Sequence, residues 1–209
     1  MSKDYFVAII KYGGNTHSIS QALGRIGVKS AVIQSPHDTK LNFATHIILP
    51  GVGAAPSAMR QLQVSGLNQF LVGAISSNIP ILGICLGMQL LFESSSEGGV
   101  QTRGLGVFSG HISKLKTSSV HKVPNVGWRT LSMKNSTKMF DHVPEPYEFF
   151  FINAFGSVFE EQHFVTSVTQ HSVSICASVE LKRTLGVQFH PELSGENGLQ
   201  FLSNFIFGS

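Results

Sequence analysis

Only two cysteines, Cys85 and Cys176, occur in the 209 residues, and no Cys-x-x-Cys pair exists. This excludes a disulfide scaffold and a cysteine-rich zinc site. Charge is sparse as well: 15 Lys+Arg and 12 Asp+Glu make up 13% of the chain and leave a formal net charge of +3 with His neutral. So few cations, without a visible cluster, exclude a nucleic-acid footprint, and an apolar content of 42% excludes intrinsic disorder. No apolar run reaches the ~20 residues a membrane-spanning helix needs. The greasiest stretch, Ile79 to Phe92, is broken by Pro80, Gly83, Gly87 and Gln89. Met1-Ser2-Lys3-Asp4 leads straight into a strand-length run with no small-residue cleavage site, so no secretory leader is expected and the cytoplasm is the expected location. At roughly 150 residues per domain, a single domain over residues 1–209 is expected, with neither membrane nor nucleic acid as a partner.

What is present is alternation. Phe6 to Ile10 reads as a buried strand, followed by the turn Tyr12-Gly13-Gly14-Asn15 and a helix carrying Ile19, Ala22, Leu23 and Ile26 on one face, with Gly27 as its stop. Val28 to Ile33, His46 to Leu49 and Ile81 to Ile84 read as strands, and Ala54 to Val64 and Leu67 to Ser76 as helices. After Val107 the strands Phe108 to Leu115, Tyr147 to Ile152, Phe164 to Val168 and Val173 to Val179 follow without helices between them. A last strand, Leu185 to Phe189, precedes a helix from Gly195 to Phe207. Ser94 to Gly99 and Lys116 to His121 read as surface loops. The pattern predicts an α/β fold: a mixed, mainly parallel open sheet with helices on both faces, extended by antiparallel strands.

Cys85 stands in Gly83-Ile84-Cys85-Leu86-Gly87, where a buried strand gives way to an apolar helix. Two flanking glycines permit a sharp turn and close approach of a substrate, and the mouth of a helix favours a thiolate. Near the carboxyl terminus, Gln188-Phe189-His190-Pro191-Glu192 ends the last strand. Pro191 biases His190 toward extended backbone, so His190 and Glu192, two apart, are expected to project to one side. Nucleophile, base and orienting acid are the parts of a catalytic triad, here in the chain order Cys85, His190, Glu192. An α/β-hydrolase would run nucleophile, acid, His. Cys176 lies in an apolar strand and reads as core, and the remaining histidines offer no comparable set.

With Pro50-Gly51-Val52-Gly53-Ala54, the run Gly83 to Glu93, and Val123-Pro124-Asn125-Val126-Gly127-Trp128, these motifs make the chain resemble the triad-type (class I) glutamine amidotransferases over nearly its whole length. Among them it is most similar to the glutaminase subunits of imidazole glycerol phosphate synthase. The resemblance implies glutamine hydrolysis by Cys85 with His190 as base and Glu192 orienting it. It further implies oxyanion donors at the amides of Leu86 and Val52, a Val52 peptide free to flip between Gly51 and Gly53, and Gln89 and Glu97 holding L-glutamine. The implied partner is a (β/α)8-barrel cyclase receiving ammonia in histidine biosynthesis, docked against Asn125, Trp128, Arg129 and Leu193. Neither a metal nor a cofactor is implied.

Several positions depart from the family pattern. Asn125 stands where His is usual, Arg129 where Asn is, Leu193 where Lys follows His-Pro-Glu, Asn153-Ala154-Phe155 where His-Ser-Tyr is, and Lys11 where an acid or amide is. These leave open two rivals: an ammonia supplier to a sugar-modifying synthase, and a silenced glutaminase kept as a binding subunit.

Overall fold

Residues 4–158 and 162–208 are described in a computed structural model; Met1 to Lys3, read above for a leader, lie outside them. The strands in chain order are β1 (Phe6–Ile10), β2 (Lys29–Ile33), β3 (His46–Leu49), β4 (Ile81–Ile84), β5 (Phe92–Ser95), β6 (Thr102–Arg103), β7 (Phe108–Lys114), β8 (Asn125–Thr130), β9 (Ser132–Met133), β10 (Glu148–Asn153), β11 (Phe155–Gly156), β12 (Val165–Gln170), β13 (Ser174–Leu181) and β14 (Thr184–Val187). The helices are α1 (Thr16–Arg25), α2 (Ala55–Ser65), α3 (Leu67–Ser76), α4 (Leu86–Leu91) and α5 (Gly195–Phe207).

The main sheet has the order β2-β1-β3-β4-β14-β13-β12-β9. It is parallel from β2 through β14 and antiparallel beyond. Continuous apolar strands follow from burial on both faces. Ala8 and Ile10 pack with α2 and α3, while Val7 and Ile9 pack with α1 and α5. Each such buried Ile, Leu or Phe contributes roughly 1.5–3 kcal/mol.

The structure corrects the sequence reading in three places. Two predicted strands do not join the main sheet: β10 pairs only with β8, and β7 lies in a four-stranded sheet of order β11-β7-β5-β6. The reason is one-sided burial, because β10 turns Phe149 and Phe151 inward onto Phe189, with the Phe149 and Phe189 ring centroids 4.1 Å apart. Helix α4 ends after six residues, and Ser94 and Ser95, read as the start of a surface loop, belong to β5. Phe92 is buried against Phe108 while Ser94, Ser95 and Ser96 are poor helix formers, so extended backbone wins there.

The register explains how distant residues meet. Val187 of β14 lies opposite Ile84 of β4, and the Cys85 amide donates to the Val187 carbonyl at 2.7 Å. Both strands therefore end at one edge, the carboxyl edge where open α/β sheets bind ligands.

Candidate active site

Cys85 occupies the turn between β4 and α4 with φ 52° and ψ −108°, a backbone region that costs a non-glycine residue roughly 1–3 kcal/mol. The flanking glycines permit it by close approach. A Cβ on Gly87 would strike the Leu49 carbonyl oxygen, and one on Gly83 would come within 2.8 Å of the Gly87 backbone. The residue is 8% exposed and opens onto a cavity of about 520 Å³.

His190 lines the same cavity from the other strand end. Its backbone is extended (φ −104°, ψ 93°), but Pro191–Leu193 forms a 3-10 turn, so the turn and not a straight strand brings Glu192 beneath the ring. Glu192 Oε1 lies 2.8 Å from His190 Nδ1. A carboxylate oxygen only accepts, so Nδ1 carries its hydrogen and Nε2 is left for the hydrogen bond with Cys85. Burial lowers the affinity of the ring for a proton, but the hydrogen bonds to Cys85 and Glu192 and the charges of both outweigh it, lifting its pKa from 6.5 to about 10. The arrangement favours a protonated imidazole beside the sulfur.

Two residues of this site were not singled out from sequence. Asn15 lines the cavity and donates through Nδ2 to the same Glu192 Oε1 at 2.5 Å. Glu192 Oε2 is buried and has no hydrogen-bond partner among the described residues. Tyr12 is buried, and its hydroxyl donates to the Pro50 carbonyl, bracing the segment that leads to Gly51. Burial, and then the charge of Cys85, hold its phenol well above the ordinary value. Gly13 and Gly14 make room for Val52: their Cβ atoms would lie 3.3 Å from its carbonyl oxygen and 3.1 Å from its side chain. The signal was available, since the turn Tyr12 to Asn15 follows a strand at the ligand-binding edge.

Gly51, Val52, Gly53, Leu86, Gln89, Glu97 and Leu193 also line the cavity. Gly53 adopts φ +117°. Glu97 is no free loop carboxylate: its Oε2 accepts the Ala55 amide at 2.7 Å and caps α2, a favourable place for negative charge. Gln89 donates from Nε2 to the Phe155 carbonyl at 3.0 Å and to Gln188 Oε1 at 2.9 Å.

Of the residues assigned to docking, Trp128 is 51% exposed and Leu193 42%, and Arg129 stands beside Trp128 on β8. Asn125 is buried behind this face instead of on it. It donates to Asn153 Oδ1 at 3.1 Å and accepts from Arg129 Nε at 2.9 Å, so three of the departures from the family pattern satisfy one another. Among the described residues no group of three or more His, Cys, Asp or Glu is placed to hold a metal ion.

Comparison with known proteins bears on the family and the fold. The HisH subunit of imidazole glycerol phosphate synthase from Dehalococcoides mccartyi (strain CBDB1) is 34% identical over 96% of this chain and 96% of its own. The protein of the same name from Moorella thermoacetica is 38% identical over 95% of this chain and 93% of its own. Among solved structures, PurLQS from Thermotoga maritima shares the fold with a TM-score of 0.72 at 20% identity, over 97% of this chain and 98% of that one. A crystal structure of a glutamine amidotransferase superposes with a TM-score of 0.70 at 18% identity, over 94% of this chain and 97% of that one. The family model for class-I glutamine amidotransferases matches residues 8–208, and the chain belongs to that family.

Proposed function

We propose that this chain is the glutaminase subunit of an imidazole glycerol phosphate synthase, hydrolysing L-glutamine and handing ammonia to a barrel-shaped cyclase subunit. The observation that carries the chemistry is the convergence of Cys85 and His190 on one cavity, with Glu192 bonded to the far side of the ring at 2.8 Å. Relatives named HisH that align over 96% and 95% of the chain support the pathway.

In this reading the Cys85 thiolate attacks the side-chain amide carbon of glutamine. The oxyanion is held by the Leu86 and Val52 amides, and protonated His190 delivers its proton to the departing ammonia. Water then attacks the glutamyl thioester with His190 as base, releasing glutamate and regenerating the thiol. Glu192 keeps the ring in one tautomer. Gln89 and Glu97 hold the substrate, Glu97 through Oε1 because Oε2 caps α2.

Apolar exposure around the site supports the docked partner. Val52, Ile152 and Leu193 line the cavity and are 47%, 43% and 42% exposed, and Val126, cross-strand from Ile152, is 51% exposed. Such a patch marks an interaction surface, and a lid of protein would keep ammonia from protonating in bulk water. Cys85 and Cys176 are not joined in a disulfide, which suits the reducing cytoplasm.

The test is turnover of amide-15N glutamine by this chain mixed with a histidine-pathway cyclase and its nucleotide substrate. Label in the imidazole product, abolished by Cys85→Ala, is the expected result. Glutamate release only with a sugar-modifying synthase would overturn the pathway assignment, and no release with any partner would overturn the enzyme.

A further inference from the structure

We propose that Gln188 is a positioning residue for Cys85, donating an N–H to the sulfur and so favouring the thiolate; this rests on the reading of Cys85 as the nucleophile. Gln188 follows β14, is 1% exposed, and holds Nε2 at 3.5 Å from Cys85 Sγ. An amide side chain has a donor end and an acceptor end, and here its direction is dictated from outside. The Phe155 carbonyl can only accept, so the Gln89 nitrogen faces it at 3.0 Å. The second hydrogen on that nitrogen reaches Gln188 Oε1 at 2.9 Å. With its oxygen committed, Gln188 turns its nitrogen to the sulfur. Asn153 Nδ2 donates to the same Phe155 carbonyl at 3.0 Å, fixing the origin of the relay from a second side.

The sulfur has an opposing neighbour. The Ile152 carbonyl lies 3.8 Å away, where it accepts from a thiol and repels a thiolate. A donor on the other side is what the anion needs, because hydrogen bonds to charged groups are the stronger ones. Gln188 thus sets the protonation balance of the nucleophile without touching substrate.

The test is the rate of iodoacetamide alkylation at Cys85 against pH, read at that residue by mass spectrometry in the full-length chain. Gln188→Met, close in length and lacking the donor, is expected to raise the pH midpoint by about one unit, a loss typical of one charge-assisted hydrogen bond. Gln188→Leu, which also lacks the donor and adds no charge, is expected to raise it by a similar amount and decides the matter where the Met variant does not fold. In the glutaminase assay kcat falls roughly tenfold in Gln188→Met with KM nearly unchanged. A merely structural role would slow labelling equally at every pH, and an unmoved midpoint in a folded variant overturns the proposal. Because alkylation needs no glutamine, the two readings separate: turnover surviving Cys85→Ala would sink the nucleophile assignment, while an unmoved midpoint beside Cys85-dependent turnover would sink only the role of Gln188.

Discussion

Replacing Glu192 by Gln tests the acid of the triad in a way that Asn15 makes unusual. The amide is an isostere with one acceptor end, and two donors converge on the Oε1 position: His190 Nδ1 at 2.8 Å and Asn15 Nδ2 at 2.5 Å. Flipping the amide would point its nitrogen at both donors, so the oxygen is expected to stay there and the ring to keep its tautomer. What is lost is the negative charge. A hydrogen bond to a charged group contributes about 1.5–3 kcal/mol against about 1 for a neutral one, which predicts a fall in kcat of roughly twofold to thirtyfold. The ~10⁴-fold fall that accompanies a wrong tautomer is not expected. The new NH2 takes the Oε2 position, which is buried and already without a partner among the described residues, so no hydrogen bond is lost there and the stability loss, about 0.5–2 kcal/mol, comes from the weakened bonds at Oε1. Removing the second donor in Asn15→Ala/Glu192→Gln frees the amide to flip, and its activity loss should exceed the sum of the single losses in free energy. Steady-state glutaminase kinetics and urea unfolding measure both effects. A ~10⁴-fold fall in Glu192→Gln alone would refute the pinning by Asn15, and unchanged kinetics would refute a role for the carboxylate.

Other expectations follow from the same contacts. Gly87→Ala puts a Cβ against the Leu49 carbonyl oxygen and 2.7 Å from its carbon, both backbone atoms of β3, so urea unfolding should show a loss of about 1–3 kcal/mol or more. Gly24→Ala on α1 meets nothing within 4 Å and should instead gain about 0.5–1 kcal/mol. With the His190 pKa raised from 6.5 to about 10, the stability it contributes is fully present below pH 6.5 and lost as pH rises through about 10. The unfolding midpoint of the wild type should therefore fall across that window more than that of His190→Gln, and equal slopes would contradict the assignment. Trp128→Ala should weaken partner binding by about 2 kcal/mol, roughly thirtyfold, in calorimetric titration, leaving the fold intact; unaltered affinity would remove Trp128 from the interface.

Much of this was legible in the sequence because the signals were local or periodic. Continuous apolar runs gave the parallel strands, and Gly83-Ile84-Cys85-Leu86-Gly87 marked the turn whose glycines meet the backbones of β3 and α4. What stayed hidden was set by partners far along the chain. The capping role of Glu97 was hidden because it depends on the start of α2, and Asn125 read as part of the docking face because its partner Asn153 comes from β10. The strand at Ser94 and Ser95, read as loop, was likewise decided by Phe92 finding Phe108. Asn15 lies in no motif, and Gln188 opens the one that holds His190 without its own role being readable there; each matters because the fold brings it to a triad atom.

The central claim is that Cys85 carries the glutamyl group during turnover. Acid quenching of the chain and its synthase partner during steady-state glutamine hydrolysis, followed by peptide mass spectrometry, tests this directly. A glutamyl thioester on the peptide containing Cys85 is predicted, absent in Cys85→Ala and formed far more slowly in His190→Ala. An adduct on Cys176, or full turnover in Cys85→Ala with no adduct anywhere, would contradict it.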